Sequence, residues 1–162
     1  MFRISDLVDL PIKCLNGDKK IRYTVKSLLI DGNNNKIAAL VCKEGTFKKY
    51  IKVIAYERII AIDINGIIVA DEHCVAKQSL HELNHYFQLE DIMNQLVLSN
   101  HGSLQGRITD IYINLVNGEI ISYELSEGYL DDFINGRKIV GIEKGLKYNI
   151  SSDGITVYQS IN

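Results

Sequence analysis

Tryptophan is absent from this chain, and proline occurs once, at Pro11. So little proline argues against polyproline linkers and long rigid loops, and favours short turns closed by glycine and asparagine. No apolar run approaches the roughly 20 residues that a membrane-spanning helix needs. The longest, RIIAIDINGIIVA at 58–70, is broken by Asp63, Asn65 and Gly66. The three cysteines, Cys14, Cys42 and Cys74, stand far apart without a C-x-x-C pair, which removes the case for a zinc ribbon or redox dithiol. The start, MFRISDLVDLPIK, has no basic segment followed by an apolar run, so no signal peptide is expected. With an odd cysteine count, this points to a reducing cytoplasm. Neither G-x-x-x-x-G-K-[ST] nor G-x-G-x-x-G occurs, and no nucleophile motif is recognisable. No cofactor is expected and no catalytic residue is assigned.

What remains is an ordinary globular composition: 162 residues, 46% hydrophobic and 23% charged, enough for one common domain or two small ones. The net charge of −2 conceals an asymmetry. Residues 1–72 carry 12 Lys/Arg against 9 Asp/Glu, whereas residues 73–162 carry 6 against 11. Lys48, Lys49 and Lys52 gather around Tyr50 in the basic half, and Lys19, Lys20 and Arg22 form a smaller group. An aromatic among lysines can touch a phosphate backbone, so Lys48, Lys49, Tyr50 and Lys52 are the candidate interaction surface. A charge this modest also suits a solubilising surface, or two faces that attract each other.

The chain is written twice. FRISDLVDLPIK (2–13) aligns with FQLEDIMNQLVL (87–98), matching Phe2 to Phe87, Ile4 to Leu89, Asp6 to Asp91 and Leu7 to Ile92. VKSLLIDGNNNKIAALVCKEG (25–45) aligns without a gap on ITDIYINLVNGEIISYELSEG (108–128), and INGIIV (64–69) on SDGITV (152–157). The division is residues 1–70, a linker over 71–86, and residues 87–162. The repeated unit reads as β: Ile121, Tyr123 and Leu125 alternate with Ser122, Glu124 and Ser126, and Asn117-Gly118 before them is a hairpin signal. In the strand before the hairpin the apolar phase slips between Val25 and Leu28, and again between Ile108 and Ile111. A slip at matched positions predicts a β-bulge in each copy.

GRITDIYINLVNGEIISYEL (106–125) resembles the opening of a PRC-barrel domain, with its G-x-V-x-D-V core at Gly106–Ile111, a hairpin and an alternating strand. KYIKVIAYERIIAIDINGIIV (49–69) is similar to a later part of that family's pattern. The first copy departs from it, with Tyr23 in place of Gly106 and Ser27 in place of Asp110. The resemblance implies an all-β fold of two tandem small barrels joined by a short helical linker. It also implies a non-catalytic adaptor role with an unknown protein partner. A homo-oligomer is compatible with it, and RNA or ribosome association through the basic first copy is the alternative.

One motif points elsewhere. HELNH at 81–85 fits H-E-x-x-H, whose two histidines can hold zinc on a helix while the glutamate acts as base. Ser79 and Glu82 have capping-box spacing, which predicts a short helix from Ser79 that places His81 and His85 one turn apart. A catalytic zinc needs a third protein ligand. Asp91 is the nearest choice, yet its repeat partner Asp6 lies in a segment without HELNH. Metal-dependent hydrolysis at His81, Glu82 and His85 is therefore the second alternative, behind surface histidines. The acidic run Glu124, Glu127, Asp131 and Asp132 lacks calcium-loop spacing and reads as a solvated loop.

Overall fold

Alternating apolar and polar residues build fifteen short strands among the residues described by the computed structural model, which are 2–16, 23–43, 50–99, 101–142, 146–151 and 154–159. In chain order these begin with β1 (Phe2–Arg3), a 3-10 turn (Ile4–Leu7), β2 (Pro11–Cys14), β3 (Tyr23–Asp31), β4 (Lys36–Cys42), β5 (Tyr50–Ala55), β6 (Ile59–Asp63), β7 (Gly66–Val69) and β8 (Ala76–Ser79). There follow β9 (Phe87–Gln88), helix α1 (Leu89–Ile92), β10 (Leu96–Ser99), β11 (Leu104–Ile113), β12 (Ile120–Ser126), helix α2 (Tyr129–Asn135), β13 (Lys138–Gly141), β14 (Leu146–Ser151) and β15 (Gly154–Gln159). The fold is all-β. No helix among the described residues is long and apolar enough to cross a membrane.

Two sheets carry the repeat. The first runs β6-β7-β2-β3-β4-β5-β8 and the second β14-β15-β10-β11-β12-β13, so the copies share one strand order and the first adds β8. Each order is an open path among the described residues, and these pairings do not close the barrel expected of each copy.

The bulges fall where the phase slips predict. The ladder of β3 and β4 shifts between Val25 and Ser27, and that of β11 and β12 between Ile108 and Asp110. Each ladder shifts again beside the hairpin, where Ala38 and Ile121 are skipped. That second bulge overturns one expectation. Ile121 does not face inward with Tyr123 and Leu125; it is 40% exposed, and Ile120 takes its place in the core.

The copies exchange their first strands. β1 pairs with β11 of the second copy through Phe2↔Ile113 and Arg3↔Tyr112. β9 returns the contact to β3 of the first copy through Ile30↔Phe87 and Leu29↔Gln88. One continuous core results, in which Ile4, Leu7, Leu28 and Ile54 join Ile92, Ile111, Tyr123 and Val157.

The linker is not the expected helix. Ser79 and Glu82 do make their capping contacts: Glu82 Oε2 accepts from the Ser79 amide at 2.8 Å and hydroxyl at 2.9 Å. The chain then continues as turns, with Glu82 N bonding Ser79 O and Tyr86 N bonding Leu83 O. A segment this short is marginal as a helix, and packing decides its course. Leu83 is drawn onto Leu29, Ala39, Val41 and Val53 on the outer face of the first sheet. The linker's only helical turn among the described residues is a 3-10 turn at Glu72–Cys74.

Candidate functional site

The copies meet through their hairpins. Ile37 N donates to Gly118 O at 2.9 Å, and Ile120 N donates to Asn35 O at 2.9 Å. The buried Tyr56 hydroxyl donates to Leu115 O at 3.0 Å, and burial pushes its pKa up to about 12. Its ring lies against Gly118, whose φ is +74° and where an added Cβ would come within 2.8 Å of the ring. Only glycine combines that backbone with that approach.

Beside this lock lies an open cleft of about 700 Å³. It is lined by Ile59, Ile60, Ala61 and Ile62 of β6 and by Leu115, Val116 and Asn117 of the second copy. Asp31, Lys36 and Glu57 supply charge. Burial opposes the Asp31 carboxylate, but hydrogen bonds from Asn34 and Asn33 and the charge of Lys36 outweigh it, holding its pKa below the ordinary value. β6 stands at the end of its sheet, paired with β7 alone among the described residues. Its outer N–H and C=O groups therefore have no strand partner among the described residues, and Ile60 is 53% exposed. Val116, on the lining from the second copy, is 92% exposed. The arrangement can take an extended chain: backbone groups along one side, apolar contacts on both.

The residues singled out by sequence lie elsewhere. His81 and His85 are exposed, and the His85 ring tilts against Tyr86 with centroids 3.9 Å apart. Glu82 is committed to Ser79, whose hydrogen bonds lower its pKa. Asp91 accepts from the Gln88 amide at 3.1 Å in the capping box of α1. No group of three His, Cys, Asp or Glu suited to a metal occurs among the described residues. Lys48 and Lys49 lie outside the described residues. Tyr50 and Lys52 sit on β5, where Lys52 pairs in register with Lys77 of β8. The Lys52 ammonium lies 4.8 Å from the Tyr23 ring centroid and that of Lys77 lies 4.7 Å from Tyr50. A cation therefore already covers one face of each ring.

The acidic run is not a solvated loop. Glu124 is 4% exposed on β12, and Asp131 and Asp132 belong to α2. Glu124 accepts from Arg137 at 2.7 Å, Thr109 at 3.1 Å and Tyr112 at 3.1 Å, with Arg3 of the exchanged strand 3.4 Å away. Its counterpart in the first copy is Val41, under Leu83. The linker covers the first sheet with apolar side chains; the second sheet covers the matching face with a satisfied ion network. Alternation showed that Glu124 points away from the core, but not that Arg3, far away in sequence, would bury it.

No family model matches the chain. It is similar to an uncharacterised protein of Bacillus subtilis (strain 168), YrrD, being 32% identical over 82 residues. The match covers 48% of this chain and 46% of that protein, so it spans about half the length of each.

Proposed function

We propose that this chain is a non-catalytic cytoplasmic interaction module of the PRC-barrel type, taking an extended segment of a protein partner into the cleft beside β6. The order of elements, a bulged strand, hairpin and alternating strand in each copy, supports the family reading. Three free thiols suit a reducing compartment. The observation that carries the interaction role is the β6 edge. Natural proteins shield such edges with charge, proline or a covering element. Here Ile59-Ile60-Ala61-Ile62 carries no charge and no proline; its ladder with β7 shifts register between Ile59 and Ala61, and it lines a cleft to which both copies contribute. A partner strand added there would gain backbone hydrogen bonds from β6 and apolar contacts from Ile60 and Val116.

The test is affinity capture from the native cell with tagged full-length chain, followed by rebinding of the identified partner in purified form. Ile60→Asp and Val116→Asp should each abolish capture without lowering the melting temperature, since both side chains are exposed. Capture that survives both substitutions would refute the cleft as the docking site.

A further inference from the structure

Strand β13 is the second copy's counterpart of β5. The gapless alignment sets Leu40 on Tyr123 and Val41 on Glu124. The ladders keep that match: Leu40 pairs with Ile54 and Val41 with Val53, while Tyr123 pairs with Val140 and Glu124 with Ile139. Ile54 therefore corresponds to Val140, and Val53 to Ile139.

The two strands differ in what lies beyond them. On β5 the linker adds β8 as a further antiparallel strand, with Ala76 opposite Val53, and Val53 is 3% exposed. Among the described residues β13 pairs with β12 alone, and Ile139 is 54% exposed. The amide of Ile142 donates to Ile121 O. Successive residues of an antiparallel strand bond toward opposite edges. Val140 and Lys138 therefore bond toward β12, and the backbone groups of Ile139 and Gly141 point away from it. A Cβ added at Gly141 would meet no atom within 4 Å, so nothing crowds this position.

The first copy shows what closes such an edge: an extended segment of polypeptide running antiparallel. Charge specifies its chemistry further. Ile139 shares a face with its cross-strand neighbour Glu124, whose carboxylate meets Arg3 and Arg137. The Glu124 side chain is buried, whereas those of Arg3 and Arg137 are 49 and 50% exposed. The network thus turns its cations outward. An antiparallel segment with an apolar side chain opposite Ile139 brings the side chain two residues further on beside Arg137. A carboxylate there meets a half-exposed guanidinium, and an ammonium group is repelled.

We propose that the β13 edge is a second docking site, which takes an extended acidic segment of a partner protein as an added antiparallel strand. β6 and β13 end different sheets, so this site is distinct from the cleft.

The test is fluorescence anisotropy of the full chain with a labelled peptide, Thr-Val-Thr-Val-Thr-Glu-Thr, against the same peptide with lysine in place of glutamate. Binding of the acidic peptide is expected at about 10–500 µM, since one short strand buries little area. The lysine peptide should bind about two- to fivefold more weakly. Ile139→Pro removes one outward amide and one apolar contact but leaves the bonds to β12, as proline is tolerated on an edge whose N–H faces solvent. It should weaken binding at least about tenfold. In the unsubstituted chain, the peptide should shift the amide NMR signals of Ile139 and Gly141 more than that of Val140, a readout that does not depend on the variant's folding. No binding up to about 1 mM, equal affinity for the two peptides, or shifts centred elsewhere would each overturn the proposal. A dimer of the peptide-free chain that Ile139→Pro abolishes would assign the edge to a second copy and overturn it too. Ile60→Asp should leave the peptide's affinity unchanged; its loss there would place the peptide in the β6 cleft instead. Partner capture through Ile60 and Val116 is measured without this peptide, so the two readings fail separately.

Discussion

Lys36 faces Glu119 in an antiparallel bridge, and the two occupy the same position of the two repeats. A contact between equivalent residues marks a pseudo-two-fold axis. The flanking bonds obey it: Ile37 N to Gly118 O is the mate of Ile120 N to Asn35 O, and β1 on β11 is the mate of β9 on β3. The chain thus has the geometry of a strand-exchanged dimer joined into one polypeptide.

Exchange makes each copy depend on the other. A fragment ending before residue 87 lacks β9 on β3 and the second copy's share of the common core. Units of about 70 residues have a thin margin even when complete. The full chain is expected to unfold in one cooperative calorimetric transition. Residues 1–86 and 87–162 should be largely unfolded apart and regain strand signal in circular dichroism when mixed. Two fragments that melt independently, with curves that add to the whole, would contradict this.

The same axis relates a pair of half-buried contacts in which the charge has changed sides. Ser5 donates to Asp110 at 2.5 Å across one half of the exchange; Ser27, the counterpart of Asp110, donates to Glu90 at 2.5 Å across the other. Asp110 is 5% exposed and also receives the Ser5 and Ile111 amides. Asp110→Ala should cost about 1–3 kcal/mol by stranding those donors. Ser27→Asp should cost a similar amount by setting a buried carboxylate against Glu90. Adding Glu90→Ser to Ser27→Asp should recover most of the loss, since it installs the second copy's arrangement in the first. Urea midpoints decide: a double variant no more stable than the single one rules out the equivalence.

Local pattern carried what was legible in the sequence. The repeat, the hairpins and the slip between Val25 and Leu28 depend on neighbours along the chain, and periodicity reports those directly. The seam could not be read, because Phe2↔Ile113 joins residues more than a hundred positions apart and leaves no local signature. Glu124 and Leu83 show the same limit. Each lies on a sheet's outer face, and only the covering segment decides whether that face is ionic or apolar. In α2 the spacing of Tyr129 and Phe133 carries a helical signal, but nothing local tells which face turns outward.

Gly106 tests whether the family-like core serves a backbone need. Its φ is +135°, and an added Cβ would lie 2.8 Å from Ser126 O on β12. A side chain there meets both strain and a backbone clash. Gly106→Val should lose more than about 2 kcal/mol, or roughly 4 °C or more of melting temperature for a chain this long. Tyr23→Val, at the equivalent position, removes the stacking and hydroxyl contact of Lys52 and should lose only about 1 kcal/mol. Equal losses would mean that Gly106 is an ordinary strand position.

The Glu124 network should give acid stability a recognisable shape. Burial raises the cost of ionising Glu124, but hydrogen bonds from Arg137, Thr109 and Tyr112 and the charge of Arg3 outweigh that cost and hold its pKa below the ordinary value. The unfolded chain then takes up this proton at a higher pH than the folded one. The stabilisation is fully present above the unfolded value of about 4.3 and fades as pH falls through the lower folded value. Glu124→Gln cannot ionise, and it should cost about 1–2 kcal/mol at neutral pH, allowing for the half-exposed arginines. The gap between wild type and Glu124→Gln should narrow as pH drops below the ordinary carboxylate range, because the protonated glutamic acid resembles the amide. Comparing the two proteins cancels the other carboxylates, Asp31 included. Urea midpoints measured from pH 7 to pH 3 give the gap directly, and a gap that stays constant to pH 3 would show that Glu124 stabilises by packing and not by its charge.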